Sequence, residues 1–333
     1  MTKYTPAQKA LSTGSSGLLC IFVLFLSLTH RVSAQEAPTK TIYFLAGPKD
    51  HVGGEGTGRH ETRRDLLVLQ QCIDSAINIK GVKIKTKFLY ERDALNIDDM
   101  KDVAAIIVEC SSETSSPDRT HPLFPPSNGN IKSYDKPTLA YLDQLDSLHK
   151  AGMGIMILHW GIAVGNQKAA NYHLSWFGET ALEGYTHNPL GYWTVTPIKS
   201  AEKHPILRGV KPWLYKDEIF SNLLVKANDP YRIDLLTGEA AKTNQGTIGP
   251  NCIASAYDKN GARGILWGGM DYHSALLNEN YLRFVLNAIV WTAGIDVPKG
   301  GVRTAAKGLQ LSPIRPDGFD KLKPDNFDTF NKK

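Results

Sequence analysis

The segment His159-Trp160-Gly161 follows an apolar run, Gly154-Ile155-Met156-Ile157-Leu158, and offers the clearest chemistry in the chain. A buried strand that breaks into a sharp G-x-nucleophile-x-G turn presents Ser or Cys in several hydrolase folds. Here the presented residue is His159, so the elbow offers neither hydroxyl nor thiol, which argues against nucleophilic acyl transfer there. An imidazole in this place suits metal ligation, proton transfer or a hydrogen bond inside the core. Other imidazoles fall at comparable places. His51 follows the apolar run 41–46, His273 follows Gly268-Gly269 after the run 263–267, and His60 opens the helical pattern after the first loop. In a doubly wound sheet, ligands bind beyond the C-terminal ends of the strands. His51, His159 and His273 are therefore expected to face one crevice. Asp217-Glu218 follows the aromatic run Trp213-Leu214-Tyr215, and Glu218 reads as a base, a metal ligand or a solvated surface carboxylate. The arguments for His121, His149, His173 and His204 are weaker: His149 falls on the exposed face of its predicted helix, and His204-Pro205 falls in a turn. The loop between His51 and His60 is Gly-rich, but Gly53-x-x-Gly56-x-Gly58 lacks the G-x-G-x-x-G order of a dinucleotide site. There is no P-loop, H-E-x-x-H or EF-hand pattern, so no nucleotide cofactor is expected.

The elements that must position these residues alternate. Residues 41–46 form a short β-branched and aromatic run ended by Gly47-Pro48, the pattern of a buried strand. Leu66, Leu69, Ile73 and Ile77 recur at helical spacing within 60–79, and Gly81 ends that stretch. Residues 83–90 alternate as a half-wet strand, and 103–108 is a continuous apolar run that predicts a central strand. A polar stretch over 111–137 predicts a long excursion. A helix over 138–150 and a strand over 154–158 follow. Strands are also predicted at 192–198, 231–236, 252–257 and 263–267, the last two joined by the turn Asp258-Lys259-Asn260-Gly261. A helix spans 278–293 and ends at Gly294. Together these predict an α/β domain, a doubly wound and mostly parallel sheet flanked by helices, over 35–296, with an extended tail over 297–333.

Composition bounds the function classes. Of 333 residues, 42% are hydrophobic and 21% charged, as in a globular chain. The formal charge of +5 owes Lys3, Lys9 and Arg31 to residues 1–34, which hold no carboxylate, and the remainder is close to neutral. Such a chain has no electrostatic footprint for nucleic acid. Residues 1–34 read as an export signal, with a basic start, an apolar stretch over 17–28, and Val32-Ser33-Ala34 preceding cleavage at Gln35. That apolar stretch is short for about 30 Å of hydrocarbon, so no membrane span is expected after processing. Leu19 before Cys20 fits a lipoprotein signal poorly. Cys72, Cys110 and Cys252 remain; three is odd, so at least one is free or pairs with another chain.

These residues, in their order, resemble the trehalose-utilisation, ThuA-like family. The matching pieces are Ala46-Gly47 to His60-Glu61, Leu158-His159-Trp160, His204-Pro205-Ile206-Leu207-Arg208-Gly209-Val210, Asp217-Glu218, Gly268-Gly269 with His273, and Asn287-Ala288-Ile289-Val290-Trp291-Thr292-Ala293-Gly294. The resemblance covers about residues 41–301 and implies the class I glutamine amidotransferase-like fold with an elbow that has lost its cysteine. It also implies a carbohydrate role and, as in some relatives, a bound divalent metal such as zinc. The implied pocket is His51, His60, His159, Glu218 and His273, with His51, His60, His159 and His273 as metal ligands and Glu218 and His159 as catalytic groups. Trp160, Asp271, Tyr272 and His187 are the implied substrate contacts. Members commonly carry Gly-Gly-His-Phe-His where this chain has Gly269-Met270-Asp271-Tyr272-His273, so one candidate ligand is lost and one residue inserted. The expected activity is metal-assisted hydrolysis, isomerisation or elimination on a keto-sugar or disaccharide derivative outside the cytoplasm. The rival expectations are a non-catalytic carbohydrate-binding protein stacking sugars on Trp160, Trp176, Trp193, Trp213 and Tyr272, and a degenerate amidase.

Overall fold

The computed structural model describes residues 36–48, 56–91, 95–110, 121–124, 134–164, 166–181, 185–309 and 323–332. The expected export signal over 1–34, His51, most of the 111–137 stretch and residues 310–322 lie outside them. The chain from Ala37 onward forms one compact unit. In chain order the elements are β1 (Thr39–Ala46), α1 (Thr62–Asp74), β2 (Lys83–Tyr90), β3 (Val103–Glu109), α2 (Lys136–Lys150), β4 (Gly154–Leu158), α3 (Gln167–Trp176), β5 (Glu179–Thr180), β6 (Leu190–Pro197), β7 (Trp213–Glu218), β8 (Leu224–Val225), β9 (Arg232–Thr243), β10 (Gly246–Lys259), β11 (Ala262–Trp267), α4 (Glu279–Thr292) and α5 (Phe327–Phe330).

The principal sheet has nine strands in the order β2-β1-β3-β4-β11-β10-β9-β6-β7. From β2 to β11 every pairing is parallel, and from β11 to β7 every pairing is antiparallel, so only β10 and β6 run against the rest. The apolar runs of β3 and β4 are buried on both faces, as central parallel strands require. β2 lies at one edge and keeps its lysines in solvent, which also discourages edge-to-edge pairing. One apolar layer joins α1 and α4 to the sheet, and a second joins α2 and α3 to its opposite face. This is the doubly wound architecture that the strand–helix alternation predicts.

Caps and turns follow the local residues. The Asp135 side chain accepts from Thr138 N (2.9 Å) at the start of α2, and Asn278 accepts from Asn280 N and Tyr281 N at the start of α4. Asn260 and Gly261 are both left-handed in the β10–β11 turn, where Gly261 N donates to Asp258 Oδ1 (2.8 Å). Asn287 of α4 is fully buried. It donates to the carbonyls of Ile206 (2.8 Å) and Arg208 (2.9 Å) and accepts from Val302 N (2.7 Å). One amide thus ties the His204–Gly209 motif to the Asn287–Gly294 motif.

Some expectations need correction. α1 stops at Asp74, and Ile77 is exposed, because Ile77 N is drawn to Arg303 O (2.9 Å) and Ala76 bridges to Thr304. The chain beyond 297 is not all extended. Val297 and Val302 are buried, α5 forms, and Asn331 pairs with both the N–H and the C=O of Leu214 on β7. α3 and β7 were not predicted as elements at all.

Candidate functional site

The site is built where β4, β11 and β7 end. β7 is separated from β11 by three strands, yet the chain just past the two strands meets. Phe220 N, just past β7, donates to Gly268 O (3.2 Å), just past β11. The Arg59–Tyr272 bridge, with His60 N to Asp271 O (2.9 Å) and His273 N to Gly58 O (3.0 Å), adds the first loop as a short ribbon. Three residues here hold left-handed backbones without being glycine: His60 (φ 49°), His159 (φ 48°) and Met270 (φ 94°). Such conformations cost about 1–3 kcal/mol each and persist where the surroundings over-determine them, as at ligand sites.

His60 and His159 present their Nε2 atoms to each other at 3.3 Å. His159 Nδ1 donates to Gly268 O (3.2 Å), which leaves the Nε2 lone pair directed at the cluster. Asp271 Oδ1 is buried and faces both rings, 2.9 Å from His60 Nε2 and 3.8 Å from His159 Nε2. Glu218 completes the group: one donor atom each from His60, His159 and Glu218 lies within 4.8 Å of the others. Two imidazole nitrogens and a carboxylate oxygen brought this close are a donor set that fits a divalent cation. The hydrogen bond from His159 to a backbone carbonyl is the kind of support that metal-ligating histidines carry.

The carboxylates are held unequally. Burial raises the Asp271 carboxyl, but His60, His159 and Arg59 outweigh it and hold it below its ordinary range. Arg59 Nε donates to Asp271 Oδ2 at 2.8 Å, and its Nη2 lies 3.4 Å from Glu218 Oε2. Burial and the neighbouring Asp271 charge raise Glu218, against bonds from Trp160 Nε1 (3.1 Å) and Asn188 Nδ2 (2.9 Å) to its Oε1. Glu218 is thus a buried carboxyl with a raised pKa beside the two imidazoles, the kind of group that marks candidate acid–base sites.

The structure gathers some of the expected residues and separates others. His60, His159 and Glu218 converge, and Glu218 is buried rather than solvated. His51 lies outside the described residues. His273 is not in this grouping; its Nδ1 is bound to Asp65, deep beside Glu109. Asp271, expected as a substrate contact, instead faces the imidazoles. Tyr272 is fully buried, with Arg59 and Lys216 against its ring. His187 is exposed and bridges to Ser221. Trp160 is half-buried over His60, whereas Trp176, Trp193 and Trp213 are core residues. His149 is buried, not exposed, because its Nδ1 bonds to Met153 O (2.8 Å). The sequence reading missed Arg59 and Asn188 as partners of Glu218. It also missed Asp65 and Glu109, whose pKa values burial raises. The bracketing Asn188-Pro189 before a strand was the available signal for Asn188.

No protein-family model and no curated protein matches the chain. Solved structures do. A ThuA-like protein from Bacteroides uniformis ATCC 8492 is similar at a TM-score of 0.52 and 11% identity, over 80% of this chain and 96% of that one. A ThuA-like protein from Parabacteroides merdae ATCC 43184 is similar at 0.52 and 12% identity, over 80% and 97%. At these identities the likeness is one of fold, and the fold of this chain is that of the ThuA-like proteins.

Proposed function

We propose that the protein is an exported, metal-dependent enzyme acting on a keto-sugar or a disaccharide derivative. The observation that carries this reading is the convergence of His60, His159 and Glu218, one donor atom of each within 4.8 Å of the others, with Asp271 Oδ1 against the two rings. His60, His159 and Asp271 would hold the cation, with Glu218 at its open side, and such a donor set suits zinc or a similar ion. A cation there would polarise a carbonyl or hydroxyl oxygen of the sugar. Glu218 then has the remaining work. Its raised pKa and its bonds from Trp160 and Asn188 fix a carboxylate that can take and return a proton in hydrolysis, isomerisation or elimination next to a carbonyl. Arg59 keeps the two carboxylates apart in role by neutralising Asp271 from the side away from the imidazoles. The sugar class rests on the fold shared with ThuA-like proteins, and export rests on residues 1–34. Burial of Trp176, Trp193, Trp213 and Tyr272 removes most of the stacking surface that a non-catalytic carbohydrate binder would need.

The test is incubation of the purified protein with 3-keto glycosides and their parent sugars, with and without chelator, followed by NMR, alongside metal analysis. Stoichiometric metal and chelator-sensitive turnover are expected. A metal-free protein with no turnover, or turnover indifferent to chelation, overturns the reading.

A further inference from the structure

The two carboxylates of the site come from segments far apart in sequence, and a single buried side chain joins them. Asp217 is fully buried. Its Oδ1 accepts from Glu218 N (3.0 Å), Asp271 N (3.0 Å) and Tyr272 N (3.3 Å), and its Oδ2 accepts from Met270 N (3.0 Å). Both oxygens are therefore occupied by N–H donors. The same 271–273 stretch pairs with 58–60 through the Arg59–Tyr272 bridge and His60 N to Asp271 O. A Cβ on Gly269 would lie 2.9 Å from Asp217 Oδ2 and 2.8 Å from the Trp267 ring, so the loop reaches Asp217 only because residue 269 is glycine.

We propose that Asp217 is the positioning residue of the site, fixing Glu218, Asp271 and, through the paired loop, His60 relative to one another by accepting four backbone N–H groups. This rests on the metal-site reading for its consequence, not for its geometry. It explains why the Asp-Glu pair and the Gly-Gly pair belong to one device. The carboxylate of Asp217 takes no part in the chemistry; it holds the backbone of the residues that do. Only a carboxylate accepts from donors on both sides, since an amide turns an N–H₂ group toward one of them.

The experiment compares wild type, D217N and G269A, which disturbs the same contact without changing charge. Two readouts are taken: cobalt(II) titration followed by its ligand-field spectrum, and ring resonances of ¹⁵N-histidine in the metal-free protein. For both variants, cobalt affinity is expected to fall about 10–100-fold, the range for residues that support ligands, with an altered spectrum. The His60 resonances are expected to shift, while those of His173, on the opposite face of the sheet, stay in place. If wild type binds no cobalt, the metal reading fails, and positioning is then decided by the histidine resonances alone. If D217N does not fold, G269A carries the test. A folded variant with wild-type His60 resonances, and with wild-type cobalt affinity where wild type binds, overturns the proposal.

Discussion

Two groups of histidines are buried on either side of one turn, and they differ in almost everything but burial. His60 and His159 face a carboxylate, Asp271, and each other. His121, His149 and His173 pack on the other face of the sheet among Phe124, Trp176 and Phe177. His121 Nε2 donates to Gly161 O (2.9 Å) while its Nδ1 accepts from Leu123 N (3.0 Å), a fully specified neutral ring. Among the described residues, His149 Nε2 and both ring nitrogens of His173 have no hydrogen-bond partner. Burial pushes His121 and His149 down to about 4, and His173 well below its ordinary value. Burial of an imidazole therefore does not mark a ligand. What sets His60 and His159 apart is that their nitrogens converge with the Glu218 carboxylate.

The comparison breaks most visibly on the ligand side. H60A and H159A are each expected to abolish stoichiometric metal binding and turnover together, while H173A changes neither in whatever fraction folds. Equilibrium dialysis with metal analysis reads this; metal retained by H60A would dissolve the distinction between the groups. Next in size is E218Q, expected to keep the fold and lower turnover by about 10²–10⁴-fold, the usual contribution of a positioned acid–base group. If E218Q loses metal to the same extent as H159A, Glu218 is a ligand rather than a proton carrier.

The third effect belongs to the aromatic group and depends on pH. His173 is neutral when folded, because burial and the neighbouring His121 lower its pKa from 6.5. Below pH 6.5 the unfolded chain binds a proton there that the folded chain does not, so stability falls as pH falls. H173F removes this difference. Relative to wild type, the variant should gain stability as pH falls below 6.5, by up to about 1.4 kcal/mol per pH unit while His173 stays neutral in the fold. Denaturant titrations across that window check it, and parallel profiles for the two proteins would show that His173 does not stay neutral. Buried carboxylates such as Glu109 act in the opposite direction, but they cancel between wild type and variant.

The parallel half of the sheet was legible because β1, β3 and β4 are apolar runs bounded by turn residues, and their burial on both faces leaves no ambiguity of period. β7 was not, since half of its six buried residues are Lys216, Asp217 and Glu218, which read as a solvated end. α3 was hidden for a related reason. Its buried face is Ala169, Ala170, His173 and Trp176 in place of a leucine stripe, and only its cap, Asn166 accepting from Ala169 N (3.0 Å), was a signal. His159 and Glu218 could be found from strand ends and from the resemblance. The placement of Asp271 could not, because its backbone N–H is held by Asp217, a residue distant in sequence that accepts from four backbone N–H groups.

The smallest effect expected is that of thiol modification, and it bears on the elbow itself. Cys110 lies under the turn, where a Cβ on Gly161 would sit 3.3 Å from its Sγ, so a cysteine is close to the elbow without being presented by it. It is buried, as is Cys72, whose thiol burial raises to about 11. Cys252 is the more accessible, but burial together with the Glu179 and Asp234 carboxylates raises it to about 12. A thiol at that value is almost entirely protonated at neutral pH and reacts slowly. Iodoacetamide on the native protein should therefore label Cys252 first and slowly, and leave turnover unchanged, since Cys252 sits on β10 beside Arg232 and away from His159. Mass spectrometry of labelled peptides, taken beside the activity at each time point, follows both. Rapid labelling of Cys110 with proportional loss of turnover would return a thiol to the elbow and displace the imidazole from it.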